Sequence, residues 1–125
     1  MRISITIIFV GVRFNQWTMI LVFKHFFYRN YVGLSFWPFI ILKHNALKGD
    51  AVLINHEKIH LKQQLELLIL PFYILYITEW LLRSLWHLDF YKGYQNISFE
   101  REAYYNEHDM DYPRKRNFFG FIKYL

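Results

Sequence analysis

Five consecutive residues, His56-Glu57-Lys58-Ile59-His60, limit what this chain can become more than anything else in it. On a helix they set two imidazoles four residues apart on one face with a carboxylate beside them, the minimal geometry for holding Zn²⁺ and activating a water. The flanking residues supply the helix: Asp50, after Gly49, is a suitable N-cap, and the run from Ala51 to Leu70 contains neither Gly nor Pro. Along that run His56, His60, Gln63 and Leu67 recur at spacings of four and three, so both histidines share a face that continues into apolar positions. Lys58 and Lys62 fall away from it and read as solvated. The bland alternative is a pair of surface histidines on an amphipathic helix. A third ligand elsewhere in the chain separates the two readings, because an open zinc site takes three protein donors.

At 125 residues and 54% hydrophobic content the chain is one domain, 1–125, large enough to bury a core but too short for two. With no cysteine there is no disulfide framework and no thiolate site, so a metal must be held by nitrogen and oxygen donors. The 13 Phe, 10 Tyr and 4 Trp exceed what a small soluble core needs, and Tyr and Trp suit surfaces that are apolar at one end and wet at the other. A net charge of +5 favours anionic partners. Phospholipid head groups fit better than nucleic acid, since the basic residues are scattered apart from Arg114-Lys115-Arg116 and no nucleic-acid motif is present. The expected localisation is a membrane surface or the cytoplasm.

The uncharged stretch from Leu67 to Thr78 is strongly apolar, but Glu66 and Glu79 bracket it and Pro71 lies inside it. Spanning a bilayer takes roughly 20 apolar residues, so a core helix or an interfacial helix suits this length better than a crossing. Trp80, Arg83 and Trp86 on the next turns are residues of a head-group boundary. The start, Ile3 to Val12, superficially resembles a signal peptide, yet Arg13, Asn15 and Gln16 follow with no small-residue cleavage site.

Residues 1–30 hold two apolar patches, Ile3 to Val12 and Trp17 to Phe27, parted by a polar break at Arg13 to Gln16, which suits a strand pair or a strand and a helix. Asn30, Gly33 and Ser35 mark a turn. The run Phe36 to Leu42 then reads as an edge strand because of Pro38, and Lys43 to Gly49 as a polar loop. An edge strand ahead of the metal helix offers backbone groups to an extended substrate, or it simply packs. After the first helix, Pro71 kinks or restarts the chain into a second, apolar helix from about Phe72 to Leu88; Asp89 to Gln95 is a turn. Ser98 is a good N-cap for a third helix that Asp109, Asp111 and Pro113 end, and the aromatic tail from Asn117 is expected to dock. The fold class is therefore α+β, mainly helical, with short strands ahead of the metal helix.

Candidates for the third donor are Glu79, His87, Asp89, Glu100, Glu102, Glu107 and His108. Glu66 lies on the His-bearing helix and cannot fold back onto it. On the third helix Glu100, Ala103 and Tyr104 share a face, with a small residue allowing close approach, whereas Glu102 points about 160° away from Glu100. That favours Glu100, and leaves Glu102 as a surface carboxylate or one supporting a ligand from behind.

Glu100-Arg101-Glu102-Ala103-Tyr104 following His56-Glu57-Lys58-Ile59-His60 resembles a gluzincin, the zinc peptidase group that pairs His-Glu-x-x-His with a distal Glu. Membrane-associated branches write that distal site Glu-x-x-Ala-Asp. Here Glu100 and Ala103 match, which implies Glu100 as ligand, while Tyr104 stands where an Asp supporting a ligand imidazole is expected. The strings Asn55 to Glu66 and Ile97 to Tyr104 more closely resemble a family of small zincin-like metallopeptidases. The likeness covers roughly residues 34–125 and implies a minimal zincin-like core: the His-Glu-x-x-His helix, a second apolar helix and a Glu-bearing helix.

On this reading the expected function is peptide-bond hydrolysis of a peptide or protein substrate. His56, His60 and Glu100 hold Zn²⁺ and Glu57 is the general base. Tyr104 or Tyr112 is available to the developing oxyanion, and Asn55 and Gln63 can orient the imidazoles. The competing classes are a non-catalytic zinc-stabilised module at a membrane, its fourth position closed by His108 or Asp109, and a small membrane or interaction protein without metal.

Overall fold

The computed structural model describes residues 8–9, 18–25, 27 and 31–125. A four-stranded sheet comes first, in the order β1 (Ile8–Phe9), β2 (Met19–Val22), β4 (Phe39–Leu42), β3 (Gly33–Phe36). Five helices follow: α1 (Ala51–Leu67), α2 (Ile69–His87), α3 (Phe90–Gln95), α4 (Ser98–Asn106) and α5 (Tyr112–Lys115). The architecture is α+β and mainly helical. In the N-terminal segment β1 pairs antiparallel with β2, Ile8 opposite Ile20. The remainder of the first apolar patch, the break at residues 13–16 and the turn residue Asn30 lie outside the described residues.

The run expected as a single edge strand is instead a hairpin. Trp37 and Pro38 form the turn, Gly33 pairs with Leu42 and Phe36 with Phe39. Pro38, which lacks an N–H, thus sits where no ladder bond is required, and β4 is an inner strand paired with β2 in parallel on its other side. Alternation does the rest: Ile40 and Leu42 point into a cluster with Ile20 and Leu61 of α1, while Phe39 and Ile41 are half-buried. The polar loop after β4 winds into a 3-10 turn, Asn45–Gly49.

Asp50 caps α1 as expected, its side chain accepting from Leu53 N–H at 3.0 Å. The break after α1 falls at Leu68, whose φ of 62° is a conformation L residues rarely adopt, and the chain there turns by 113°. Pro71 is not the breaker. It lies in the first turn of α2, where its missing N–H has no intrahelical partner to lose.

The segment expected as a turn carries the short helix α3, capped by Asp89 through Lys92 N–H at 2.9 Å. Gly93 lets α3 lie directly on α2, because a Cβ there would run into the Ser84 backbone. Ser98 opens α4 but is not its cap. Glu79 of α2 takes that role, its two oxygens accepting from Ser98 N–H at 2.8 Å and Ser98 Oγ–H at 2.6 Å. The second core cluster, Phe72, Ile97 and Phe99, joins α2 to α4, with Phe72 and Phe99 rings 4.8 Å apart. Burying each such ring stabilises by about 1.5–3 kcal/mol. Phe121, in a final 3-10 turn at Gly120–Tyr124, stacks on Phe99 at 4.5 Å, so the tail docks as expected.

Candidate metal centre

Helix α1 carries His56 and His60 on the face turned to α4, and α4 carries Glu100 in its first turn. The three are buried together. His56 Nε2 and His60 Nε2 are 3.1 Å apart; Glu100 Oε2 is 3.1 Å from the former and Oε1 is 3.2 Å from the latter. Donors bonded at about 2.0–2.1 Å to one tetrahedral ion stand roughly 3.3 Å apart, so the three lie within a few tenths of an ångström of that spacing. They form a buried His-His-Glu group able to hold a metal ion.

The rings are held so that their Nε2 lone pairs face that point. His60 Nδ1–H donates to Gln63 Oε1 at 2.8 Å; the amide orientation follows from Gln63 Nε2, which donates to Phe99 O at 3.1 Å and Glu102 Oε2 at 2.8 Å. His56 Nδ1–H donates to Glu107 Oε2 at 2.9 Å. With both Nδ1 atoms donating outward, neutral rings and Glu100 present only acceptors to one another. Three buried acceptors at hydrogen-bond distance require a cation or protons between them. In the absence of metal the protons are retained: burial opposes charge on His60, yet the Glu100 carboxylate holds its pKa up at about 9. His56 is raised as well, burial being outweighed by the hydrogen bond to Glu100 together with the charges of Glu100 and Glu57; against the effect of burial, the Glu100 pKa is in turn driven down by the two histidines.

Behind His60 the chain of contacts continues. Glu102 is fully buried, not a surface carboxylate; besides Gln63 it accepts from Tyr112 Oη–H at 2.9 Å and Arg116 Nε–H at 2.8 Å. Arg116 also pairs with Glu66, which accepts from Phe119 N–H too. Tyr112 is thus committed to Glu102. Behind His56, Asn55 Nδ2 donates to the carbonyls of Glu107 and Asp109, at 2.8 and 2.9 Å, and so pins the end of α4 that carries Glu107.

Glu57 lines a cavity of about 1010 Å³ together with His60 and Glu100 of the donor group and with Tyr73, Tyr76 and Trp80. Burial pushes its pKa up, with the two histidines acting against that. Gly33 of β3 makes room for the carboxylate, since a Cβ there would stand 2.7 Å from Glu57 Oε1. The neighbouring edge carbonyl, Ser35 O, accepts from Gln64 Nε2 at 3.0 Å and from Tyr73 Oη–H. That carbonyl of the edge strand is therefore engaged by the protein itself.

Tyr104 packs its ring edge-on to His56, centroids 4.6 Å apart, and its hydroxyl lies 3.3 Å from that of Tyr94. The hydroxyl nearest the donor group is Tyr76, which sequence reasoning did not single out; it donates to Glu100 Oε1 at 2.6 Å. Nothing in the local pattern marks it, because its role depends on how α2 crosses α4. Glu107 had a visible signal: it lies seven residues from Glu100, two turns along the same face. Of the other ligand candidates, Glu79 caps α4, Asp89 caps α3 and His108 is exposed. Among the described residues, neither His108 nor Asp109 belongs to the donor group.

No protein-family model, no curated protein and no solved structure matches this chain.

Proposed function

We propose that this chain is a zinc metallopeptidase with a gluzincin-like donor set and a minimal zincin-like core. The observation that carries the reading is the buried cluster of three acceptors at 3.1–3.2 Å, both rings oriented from behind, with a carboxylate beside it that opens onto a cavity. Two imidazoles and a carboxylate without thiolates suit Zn²⁺, and a three-donor set leaves a position for solvent or substrate.

Bound there, the ion supplies Lewis acidity: it polarises a carbonyl and brings the pKa of water to about 7. The protein's own groups do the rest. Glu57 takes the proton of the water as its oxygen bonds to the carbonyl carbon, and then passes that proton to the amine nitrogen as the C–N bond breaks. Tyr104, whose hydroxyl has only the 3.3 Å contact with that of Tyr94, is the donor available to the carbonyl oxygen as it gains charge, while Tyr76 is held by Glu100. The cavity walls, rich in tyrosine and tryptophan, suit apolar and aromatic substrate side chains.

The test pairs elemental analysis with a Glu57→Gln variant. Protein purified without added metal is expected to carry one zinc per chain and to cleave peptides from a degenerate library; the variant is expected to keep the zinc and lose turnover by roughly 10²–10⁴-fold. Cleavage undiminished in the variant overturns Glu57 as the base. Zinc without turnover in the wild type points to a zinc-stabilised module, and a folded chain without metal removes both zinc readings.

A further inference from the structure

We infer that the outer face of α2 is a docking surface for an anionic phospholipid bilayer, with the helix lying along the interface. Leu70, Ile74, Ile77, Leu81 and Leu85 run down the middle of that face at helical spacing, and all are exposed. Leu75, Leu82 and Trp86 widen it on one side, Trp86 with 86% of its surface open. At 100° per residue these positions fill about 180° of the helix circumference. The remaining exposed positions there are Pro71 and Thr78, and the Thr78 hydroxyl is turned back onto Ile74 O at 2.7 Å. The charges of α2 lie on its other half, where Glu79 and Arg83 pair at 2.9 Å against the body of the protein. An ordinary surface helix buries one apolar stripe and exposes its charges; α2 packs Phe72, Tyr73, Tyr76 and Trp80 against the core and leaves a second apolar face open.

The choice of lipid over protein follows from what the face lacks. The eight exposed apolar side chains on it together form a patch larger than a soluble monomer ordinarily leaves open. A protein–protein interface typically carries about one hydrogen bond per 100–200 Å². Apart from the Trp86 indole N–H at its edge, which suits a head-group boundary, this face has no unpaired side-chain donor among the described residues. Hydrocarbon asks for none. The head-group boundary is provided for as well: Lys92 on α3 and Lys123 in the final 3-10 turn are exposed on elements packed beside α2, and the chain carries +5 overall. Among the described residues no single helix is long and apolar enough to cross a membrane, which agrees with a helix lying on the surface.

The test uses the full chain, with EDTA and with zinc, so that its outcome is independent of the metal reading. The protein is sedimented with mixed phosphatidylcholine–phosphatidylglycerol vesicles and with phosphatidylcholine alone. Cosedimentation with the anionic vesicles, weakened by salt, is expected, together with quenching of tryptophan fluorescence by brominated acyl chains that falls in Trp86→Phe. Leu81→Glu combined with Leu85→Glu, both at exposed positions, is expected to lower binding roughly a hundredfold, about tenfold for each leucine withheld from lipid. If that variant fails to fold, the wild-type quenching decides. A folded wild type that stays in the supernatant with both vesicles, or shows no quenching, overturns the proposal. So does equal binding by the folded variant, or a dimer in sedimentation equilibrium that the variant dissolves while vesicles are ignored.

Discussion

Glu107 accepts a hydrogen bond from His56 Nδ1–H at 2.9 Å, and it does so from the same face of α4 that presents Glu100 to the other nitrogen of that ring. A single helix thus holds His56 from both sides, fixing its tautomer and aiming Nε2. The resemblance read from the sequence implies an Asp at position 104 for this support. Tyr104 cannot give it, and a carboxylate nearly one turn later, on a side chain one carbon longer, reaches the ring instead.

On the proposed zinc reading, removal of this support should loosen the metal. Glu107→Ala is expected to weaken zinc affinity about 10–100-fold, and Glu107→Gln, which keeps an acceptor, by less. Competition against a chromophoric chelator measures both.

Room for the Glu57 carboxylate, the base on the proposed reading, is a backbone property. Gly33→Ala puts a methyl group 2.7 Å from Glu57 Oε1 and 3.3 Å from Leu53 Cδ1, so the carboxylate must shift. A displacement near 1 Å at a reacting group lowers rates roughly 10²-fold. Turnover should fall to that extent with zinc content unchanged, as read by steady-state kinetics beside elemental analysis.

The clamp behind His60 sets stability. Arg116 is the cation for both Glu66 and Glu102, whose side chains are nearly fully buried. Replacing it with Leu strands two carboxylates and is expected to cost about 3–5 kcal/mol in urea unfolding. Lys restores the charge but not the forked geometry and should recover only part.

The pH dependence of stability should change with metal. In the metal-free protein the His60 pKa is raised from 6.5 to about 9, so its contribution is complete below pH 6.5 and is lost as pH rises through about 9. Zinc-loaded protein holds neutral imidazoles, and its stability should gain as pH rises through 6.5 and then level off. Melting temperatures in EDTA are expected to fall between pH 6.5 and 9 while those with zinc do not. Near pH 8 zinc binding should release about one proton from His60, measurable by calorimetry in buffers of different ionisation enthalpy.

Local spacing in the chain was enough to put His56 and His60 on one face of a helix capped by Asp50, to prefer Glu100 over Glu102, and to set strands before helices. Each of these follows from the 3.6-residue period, from cap chemistry or from alternation, all short-range. Tertiary structure decided that Pro38 turns a hairpin, that Glu79 caps α4, that Glu102 is buried beneath Arg116, and that Tyr76 and Glu107 attend the donor group. It also decided that the leucine-rich side of α2 faces outward while Phe72, Tyr76 and the Glu79–Arg83 pair face in. These depend on which distant segments bury one another, a balance of long-range packing and charge pairing that no stretch of a few residues encodes.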